Sequence, residues 1–152
     1  MALIINGASR DDLETLHTIE QQCFTGEAWS KRQIAMFLQA RDSVTLAARE
    51  NDEILGFVIG LVNQYDGMKI GHIVTIDVSP KHRRRGIGKT LLSSIEQEFK
   101  NAGVKVSYLE VREDNIAALR LYRRAGYSEF ERLENYYSRG GHGLRLEKNL
   151  LL

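Results

Sequence analysis

Basic residues and glycines are concentrated in one short stretch of the chain. Five of the 21 lysines and arginines lie within nine residues. They are Lys81, Arg83, Arg84, Arg85 and Lys89, and Gly86 and Gly88 lie among them. Glycine lets the backbone approach a ligand closely, and the free N–H groups at a helix start attract anions. The stretch therefore predicts a polyphosphate site, and a solvated basic loop or a nucleic-acid patch are the alternatives.

Two familiar phosphate-binding motifs do not fit this stretch. A P-loop that ended at Gly88-Lys89-Thr90 would need a glycine where the chain has Arg83. The dinucleotide fingerprint would need a third glycine where the chain has Leu91. The phosphate site must therefore be of another kind, at a turn between an apolar strand and an amphipathic helix.

The overall composition narrows the class of protein. With 21 basic and 20 acidic residues the net charge is +1, which argues against a dedicated nucleic-acid-binding domain. The 43% of hydrophobic and 27% of charged residues are typical of a folded chain, and the length predicts one domain spanning 1–152. The four histidines show no metal-ligand spacing, so no metal is expected.

The single cysteine and the apolar segments bear on location. Cys23 has no partner for an intramolecular disulfide, which fits a reducing compartment, and we predict a cytoplasmic protein. The first residues lack the pattern of a signal peptide. The most apolar stretch, residues 54–62, is far shorter than the roughly 20 residues that cross a bilayer, so no membrane association is expected.

The hydrophobic pattern predicts the elements that must position the basic turn. Helical starts are indicated by Ser9 with Asp12 and by Ser30 with Gln33, which have the spacing of a capping box. Strands are expected at 2–6, 44–50, 54–65, 68–78, 104–111, 127–136 and 144–150, and helices at 13–24, 30–41, 86–103 and 115–125. This order predicts a mixed α/β sheet with antiparallel hairpins and one strand–helix–strand crossover.

The turn resembles a known signature. Arg83-x-x-Gly86-x-Gly88 is similar to the acyl-CoA motif of the GNAT acetyltransferase superfamily. The resemblance implies a mostly antiparallel mixed sheet of about seven strands with about four helices, splayed at the acyl-CoA strand. It also implies acetyl-CoA as the donor, with pyrophosphate held by the amides of 84–89 and pantetheine by the strand. The cofactor contacts so implied are Ile76, Asp77, Val78, Arg83, Arg84, Arg85, Gly86, Ile87, Gly88, Lys89, Asn115 and Tyr122.

A second motif extends the resemblance along the chain. Residues 109–115 lead into a helix that carries Leu121-Tyr122-x-x-x-Gly126-Tyr127, which is similar to the second GNAT motif of the ribosomal-protein-alanine and archaeal-type protein N-terminal acetyltransferases. The resemblance implies Glu110 as the base, directly or through a water, and Tyr122 as the acid. A carboxylate needs a raised pKa or a relay for this task near neutral pH.

Each of these residues also has a purely structural interpretation. Glu110 could be a surface residue paired with Arg112 or a lysine. Tyr122 could be core packing, and Asn115 could be only a helix cap. The order and spacing of the three residues favour the catalytic interpretation.

The acceptor would sit near two further segments. The resemblance implies that Phe24, Glu27 and Trp29 in the loop at 24–29 and Tyr136 and Tyr137 after the last helix cover a peptide. Glu27 would hold the α-ammonium or assist its deprotonation, so Glu27 and His72 are alternatives to Glu110 as the base. Glu27 as a helix N-terminal charge and Trp29 as a hydrophobic staple are equal alternatives.

One residue of the acyl-CoA strand and one late segment are harder to interpret. His72 is either a proton relay near the acceptor or a strand histidine with satisfied hydrogen bonds, and the second interpretation is favoured. The basic, glycine-rich segment 138–143 departs from the family, where acidic residues are common.

These observations predict an acetyl-CoA-dependent N-acetyltransferase that acts on a protein N-terminal α-amine. A small amine, a polyamine or a lysine side chain is the alternative acceptor. A non-catalytic acyl-CoA-binding module is the alternative outside the enzymes. A homodimer or an auxiliary subunit is compatible with the sequence.

Overall fold

Alternating and continuous apolar runs fold into one sheet with helices packed against it. The computed structural model describes residues 2–151, apart from the side chain of Arg139. Within that range the strands are β1 (Ile4–Gly7), β2 (Ser43–Glu50), β3 (Glu53–Tyr65), β4 (Met68–Val78), β5 (Val106–Arg112), β6 (Ser128–Leu133) and β7 (Gly143–Asn149). The α-helices there are α1 (Leu13–Cys23), α2 (Lys31–Gln39), α3 (Ile87–Asn101) and α4 (Ile116–Arg124). The predicted order of elements and the mixed α/β class are confirmed.

The sheet order is β1-β2-β3-β4-β5-β7-β6. Neighbouring strands are antiparallel except β4 and β5, which are parallel and joined through α3. The β3–β4 hairpin turns at Asp66 and Gly67, both with positive φ, as the Asp-Gly pair predicts. The strand predicted at 127–136 is too long: β6 ends at Leu133, and Asn135 then adopts a φ of +53°, which a strand does not accommodate.

β4 and β5 separate after a short paired segment. Their register covers three pairs, from Ile70 with Val106 to His72 with Tyr108. Beyond them β4 stays paired with β3 as far as Val78, whereas β5 follows β7. The edge of β4 that faces β5 therefore has no strand partner from 73 to 78, although the Val78 carbonyl accepts from Cys23 Sγ and Arg83 Nε, each at 3.4 Å. Unpaired N–H and C=O groups on such an edge can pair with an extended ligand.

The helices form two hydrophobic cores with the sheet. α3 and α4 contribute to one core, which includes Leu46, Ala48 and Phe99, and α1 and α2 contribute to the other, which includes Ala47 and Phe57. The alternation of 46, 47 and 48 places the two cores on opposite faces of the sheet. The Ser30–Gln33 capping box is present: the Gln33 N–H donates to Ser30 Oγ (3.1 Å) and the Ser30 N–H to Gln33 Oε1 (2.9 Å).

A glycine sets the distance between α3 and β4 at the point where the strands separate. A Cβ at Gly71 would lie 2.6 Å from the ring of Phe99, which is fully buried. Real Cβ atoms do not come so close, so any larger residue would push α3 away from the strand. Gly71 precedes His72, so the close packing at Gly71 also fixes the position of His72.

None of the helices within residues 2–151 has the length and apolarity needed to cross a bilayer.

Gly71→Ala is expected to lower the free energy of unfolding by about 1–3 kcal/mol, because the added methyl overpacks the core against Phe99. Chemical denaturation measures this difference. Gly7→Ala is the matched control, since nothing lies within 4 Å of a Cβ at Gly7. Equal stability of the two variants would contradict the argument.

Candidate active site

A cavity of about 720 Å³ opens where β4 and β5 separate. Its walls come from β4, β5, α4, the loop between α1 and α2, and the segment before β7. The lining includes the predicted residues Phe24, Glu27, Trp29, His72, Ile76, Glu110, Asn115, Tyr122, Tyr136 and Tyr137. All six residues predicted to bind the acceptor and both predicted catalytic residues thus face one space.

Glu110 lies on the floor of this cavity with two hydrogen-bond partners. Its Oε1 is 2.7 Å from Nε2 of His72, and its Oε2 accepts from Nε of Arg145 at 2.8 Å. Arg145 is opposite Glu110 in the register of β5 and β7, and the His72 ring stacks on Tyr108 with centroids 4.5 Å apart. The surface pairing with Arg112 that the sequence left open does not occur, since that guanidinium binds Glu27 and Asp114.

These partners set the protonation of Glu110. Burial by itself raises the pKa of the carboxyl, but the hydrogen bonds from His72 and Arg145 and their charges outweigh burial, and the pKa is lowered. The carboxylate is therefore ionised near neutral pH and is a weak base on its own. Because an ionised carboxylate only accepts hydrogen bonds, Nε2 of His72 carries the hydrogen, and Nδ1 of a neutral ring keeps its lone pair. The arrangement is that of a carboxylate that orients a histidine.

Tyr122 faces the same cavity from α4. Burial and then the charge of Asp77 raise the pKa of its phenol, so the hydroxyl keeps its proton near neutral pH. A buried, protonated hydroxyl can serve as a proton donor. Asn115 caps α4, where its Oδ1 accepts from the Ala118 N–H at 3.1 Å, so the capping interpretation applies to its oxygen while the residue also lines the cavity.

The acceptor end of the cavity is tied together by one arginine. Arg112, at the end of β5, forms an ion pair with Glu27 and lies over the Tyr137 ring, 5.6 Å from the centroid. Glu27 also accepts from Ser138 Oγ at 3.1 Å. These contacts join the loop at 24–29 to the segment that carries Tyr136 and Tyr137. Glu27 therefore bridges two segments and is more than a charge at the start of α2.

Trp29 packs against α2 and also lines the cavity. Its indole lies edge-on to Phe37 with centroids 5.3 Å apart, whereas a hydrophobic staple would pair it with Ile34, the fourth residue of the helix. The residue also lines the cavity beside Phe24. The packing of its ring therefore fixes the loop end that covers the cavity.

A second cavity, of about 520 Å³, lies beside the glycine–arginine turn. Gly86 is the N-cap of α3 with a φ of +77°, and Arg84 also has a positive φ. The turn thus directs its backbone toward the start of α3, where N–H groups have no helical partner. The predicted residues that line this cavity are Val78, Arg83, Arg84, Gly86, Ile87, Gly88 and Lys89. The cavity continues the first one along β4 and α4.

The cations around this cavity differ in part from those predicted. Arg85 turns away and binds Glu50, with 2.6 Å between Nη2 and Oε2, and Lys81 is 3.5 Å from Glu53. Arg120 and Arg124 of α4 line the opposite wall. Their spacing of four residues puts them on one helical face, a signal that the sequence contained. With Arg83, Arg84, Lys89 and free amides, the site fits the phosphates of a coenzyme A thioester.

Asp77 is a predicted cofactor residue whose side chain is buried away from both cavities. Its side chain is 1% exposed and points to the α1 side of the sheet, where its Oδ1 lies 2.5 Å from Thr75 Oγ1. Neither cavity is lined by Asp77. Among residues 2–151 no cluster of three His, Cys, Asp or Glu side chains could hold a metal ion.

The site and the fold together agree with a known family. Residues 13–127 match the Acetyltransferase (GNAT) family, and the chain belongs to this family. It is therefore an acetyltransferase with acetyl-CoA as its cosubstrate.

Relatives with assigned names place the chain more closely. The [ribosomal protein bS18]-alanine N-acetyltransferase of Escherichia coli K12 is 29% identical over 133 residues, which cover 88% of this chain and 86% of the relative. The N-alpha-acetyltransferase 30 of Schizosaccharomyces pombe is 29% identical over 120 residues, with 78% and 80% covered. The crystal structure of the Escherichia coli ribosomal-protein-S18-alanine N-acetyltransferase superposes with a TM-score of 0.85 at 25% identity, covering 98% of this chain and 94% of that one.

Replacing both Arg120 and Arg124 with glutamine is expected to weaken coenzyme A binding by about three- to tenfold, since each exposed cation near a phosphate contributes up to about 1 kcal/mol. The loss should shrink at high salt, because exposed charges are screened. Calorimetric titration measures it. Arg123→Gln, on the same helix but outside the cavity lining, should bind like the wild type, and equal affinity of the double variant would exclude α4 from the phosphate site.

Proposed function

We propose that the chain transfers acetyl to the N-terminal α-amine of a protein. The observation that carries the proposal is the position of the Glu110–His72 pair next to a cavity mouth that Glu27, Arg112 and Tyr137 bridge. An acceptor held at that mouth places its amine beside a group that can take a proton. Relatives named for alanine and N-alpha acetylation support the same acceptor class.

The proton of the acceptor goes to the histidine. An ammonium group must lose a proton before it can attack a carbonyl carbon. Glu110 holds the Nε2–H of His72, so Nδ1 accepts that proton, directly or through a water. The imidazolium formed in this way is stabilised by the negative charge of Glu110, because Nε2 of His72 lies only 2.7 Å from Oε1 of the carboxylate. Glu110 then acts through the histidine, which is the relay that its lowered pKa calls for.

The wall formed by β4 and α4 supplies a proton and the binding position of the acetyl donor. When bound, acetyl-CoA supplies the activated thioester. The open edge of β4 from 73 to 78 offers backbone N–H groups that can hold an extended arm and polarise a carbonyl. Tyr122 keeps a proton on its hydroxyl, which can pass to a departing thiolate. Direct transfer from one wall to the other needs no covalent enzyme intermediate. Cys23 is a poor nucleophile, because burial and then the charge of an ionised Asp77 raise the pKa of its thiol to about 11.

The cavity surface suits a cationic, peptide-like acceptor. Its lining includes the acids Glu20, Glu27, Glu110 and Asp114 against the single guanidinium of Arg112. The Tyr137 hydroxyl stays protonated because burial, followed by the charge of nearby groups, raises its pKa. Together with the half-exposed Tyr136, it can donate to a peptide carbonyl. The N-terminal amine of a peptide can therefore make more contacts with this cavity than a small amine can.

A substrate panel tests the proposal. The protein is incubated with acetyl-CoA and with peptides that start with alanine, serine or methionine, their N-terminally blocked copies, a lysine-containing blocked peptide and spermidine. Thiol release is expected with the free N-termini and should be lost on blocking. Release with spermidine or the blocked lysine peptide alone would overturn the acceptor class, and coenzyme A binding without any release would indicate a non-catalytic module.

Glu110→Gln is expected to lower turnover by about a hundredfold, because a neutral amide no longer fixes the Nε2–H of His72 or stabilises the imidazolium formed when His72 takes the proton. Steady-state rates over a range of pH measure this loss. Glu131→Gln is the control: it removes an exposed carboxylate from the same Arg145, 2.7 Å from Nη1, and should keep turnover within about twofold. Similar losses in both variants would indicate that Arg145, and not the pairing with His72, matters.

The pH dependence of stability gives a second readout of Glu110. Because its pKa is lower in the folded chain, the ionised carboxylate stabilises the fold above its ordinary pKa. This stabilisation is lost as the pH falls through the lowered value. The difference in unfolding free energy between the wild type and Glu110→Gln should therefore shrink in acid.

A further inference from the structure

Two carboxyl groups are buried together away from Glu110. Glu20 on α1 and Asp77 on β4 are each 1% exposed. The hydroxyl of Thr75 lies between them, with its Oγ1 3.3 Å from Glu20 Oε1 and 2.5 Å from Asp77 Oδ1. Two adjacent buried carboxylates repel each other strongly, so the arrangement requires an explanation.

One shared proton accounts for the contacts. The Thr75 hydroxyl has a single hydrogen and can donate to one acid only, so its second contact is satisfied if the other acid is protonated and donates. Burial, and then the charge of Glu20, raise the pKa of Asp77 well above its ordinary value. Asp77 Oδ2 has no hydrogen-bond partner among the described residues. One proton shared within the pair would satisfy both contacts of the Thr75 hydroxyl.

The surroundings of the pair contain one cation. Cys23 faces it from α1 and Tyr122 from α4, and both of their pKa values are raised by burial and then by Asp77 in its ionised form. Arg83, from the turn after β4, lowers the pKa of Asp77 by its charge, but this is the smallest of the five causes. The β3 residue opposite Asp77 is the apolar Phe57. Within residues 2–151, Arg83 is thus the one cation among the causes that act on the pKa of Asp77.

Glu20 also reaches the loop over the acceptor cavity. Its Oε2 accepts the backbone N–H of Trp29 at 3.1 Å, and both Glu20 and Thr75 line the cavity. One carboxyl group thus links the end of the loop at 24–29 to the strand that carries the open edge. A charged acceptor holds such an N–H more strongly than a neutral one does.

We propose that Glu20 is a positioning residue that fixes the acceptor loop against β4 through the Trp29 N–H, and that Thr75 and Asp77 keep it in place by sharing one proton with it. The proposal rests on the acceptor site proposed above for its effect on catalysis, but not for the effect on the loop itself. Loss of the shared proton leaves two adjacent charges, and the contact that can yield is the one to the loop. The loop at Trp29 is therefore expected to loosen as the pH rises.

Tryptophan fluorescence tests the loop without any substrate. Trp29 is the only tryptophan, so its emission reports on this loop alone. From mildly acidic to alkaline pH, the wild-type emission is expected to shift in one transition. Asp77→Asn, whose amide replaces the protonated acid, should abolish the transition. Asp42→Asn, at an exposed position, is the control and should keep it; coincident curves for the wild type and Asp77→Asn would overturn the proposal.

Kinetics with the amine that the wild type accepts test the positioning role. Glu20→Met keeps the size of the side chain but removes the acceptor for the Trp29 N–H. It is expected to raise the KM of the acceptor about tenfold or more, with kcat and the affinity for coenzyme A changed far less. Glu20→Gln, which retains an acceptor oxygen, should recover most of the KM.

The outcomes separate this proposal from the acceptor class. If no peptide is acetylated, the fluorescence transition and its loss in Asp77→Asn still decide the role of the pair. If Glu20→Met folds by circular dichroism and leaves the KM unchanged, Glu20 does not position the acceptor. If Glu20→Met does not fold, a pH transition in Glu20→Gln that coincides with that of the wild type would overturn the proposal.

Discussion

The separation of β4 from β5 is the constraint on which the rest of the molecule depends. After His72 and Tyr108 the two strands follow different neighbours, β3 on one side and β7 on the other. This divergence opens the cavity, leaves the edge of β4 free for an extended ligand and brings Glu110 next to His72. The packing of Phe99 on Gly71 holds the last paired residues together, so a contact in the core defines where the cavity begins.

The environment gives two acids of this region opposite protonation. Glu110 has a histidine and an arginine as partners, and its pKa falls despite burial. Asp77 has another acid as its neighbour, and its pKa rises. Side chains with nearly the same intrinsic acidity therefore take different tasks, as charged anchor and as proton holder. The amino-acid composition counts Glu110 and Asp77 as one negative charge each, so it cannot distinguish the two residues.

Local patterns in the sequence predicted the helices and strands, but they could not predict contacts between residues that are far apart in the chain. Hydrophobic periodicity, capping boxes and the Asp66-Gly67 turn predicted the order of strands and helices, because these features act between near neighbours. The spacing of glycines and basic residues likewise predicted a binding turn at 83–89, and this turn lines the second cavity. The orientation of Arg85 toward Glu50 depends on how β2 sits beside the turn, which no local pattern specifies.

Cross-strand partners illustrate the same limit within the site. Arg145 meets Glu110 because of the register of β5 and β7, and Arg112 meets Glu27 across 85 positions of the chain. Glu20 stood within an apolar helical stripe, where a lone acid indicates burial without naming its partner. The roles of Glu110, Tyr122 and the acceptor residues stay predictions, now with a geometry that supports them.

The two cavities are encoded differently along the chain. The turn, strand and helix that form the second cavity, which we propose holds the phosphates, come from one continuous segment, residues 78–125. The mouth of the first cavity, where we propose that the acceptor binds, draws instead on two outlying segments, 24–29 and 136–138, joined by Arg112. Selection can therefore alter those outlying segments while the donor segment is inherited intact. A lineage built on this plan can diversify its acceptors by loop replacement and keep a single coenzyme.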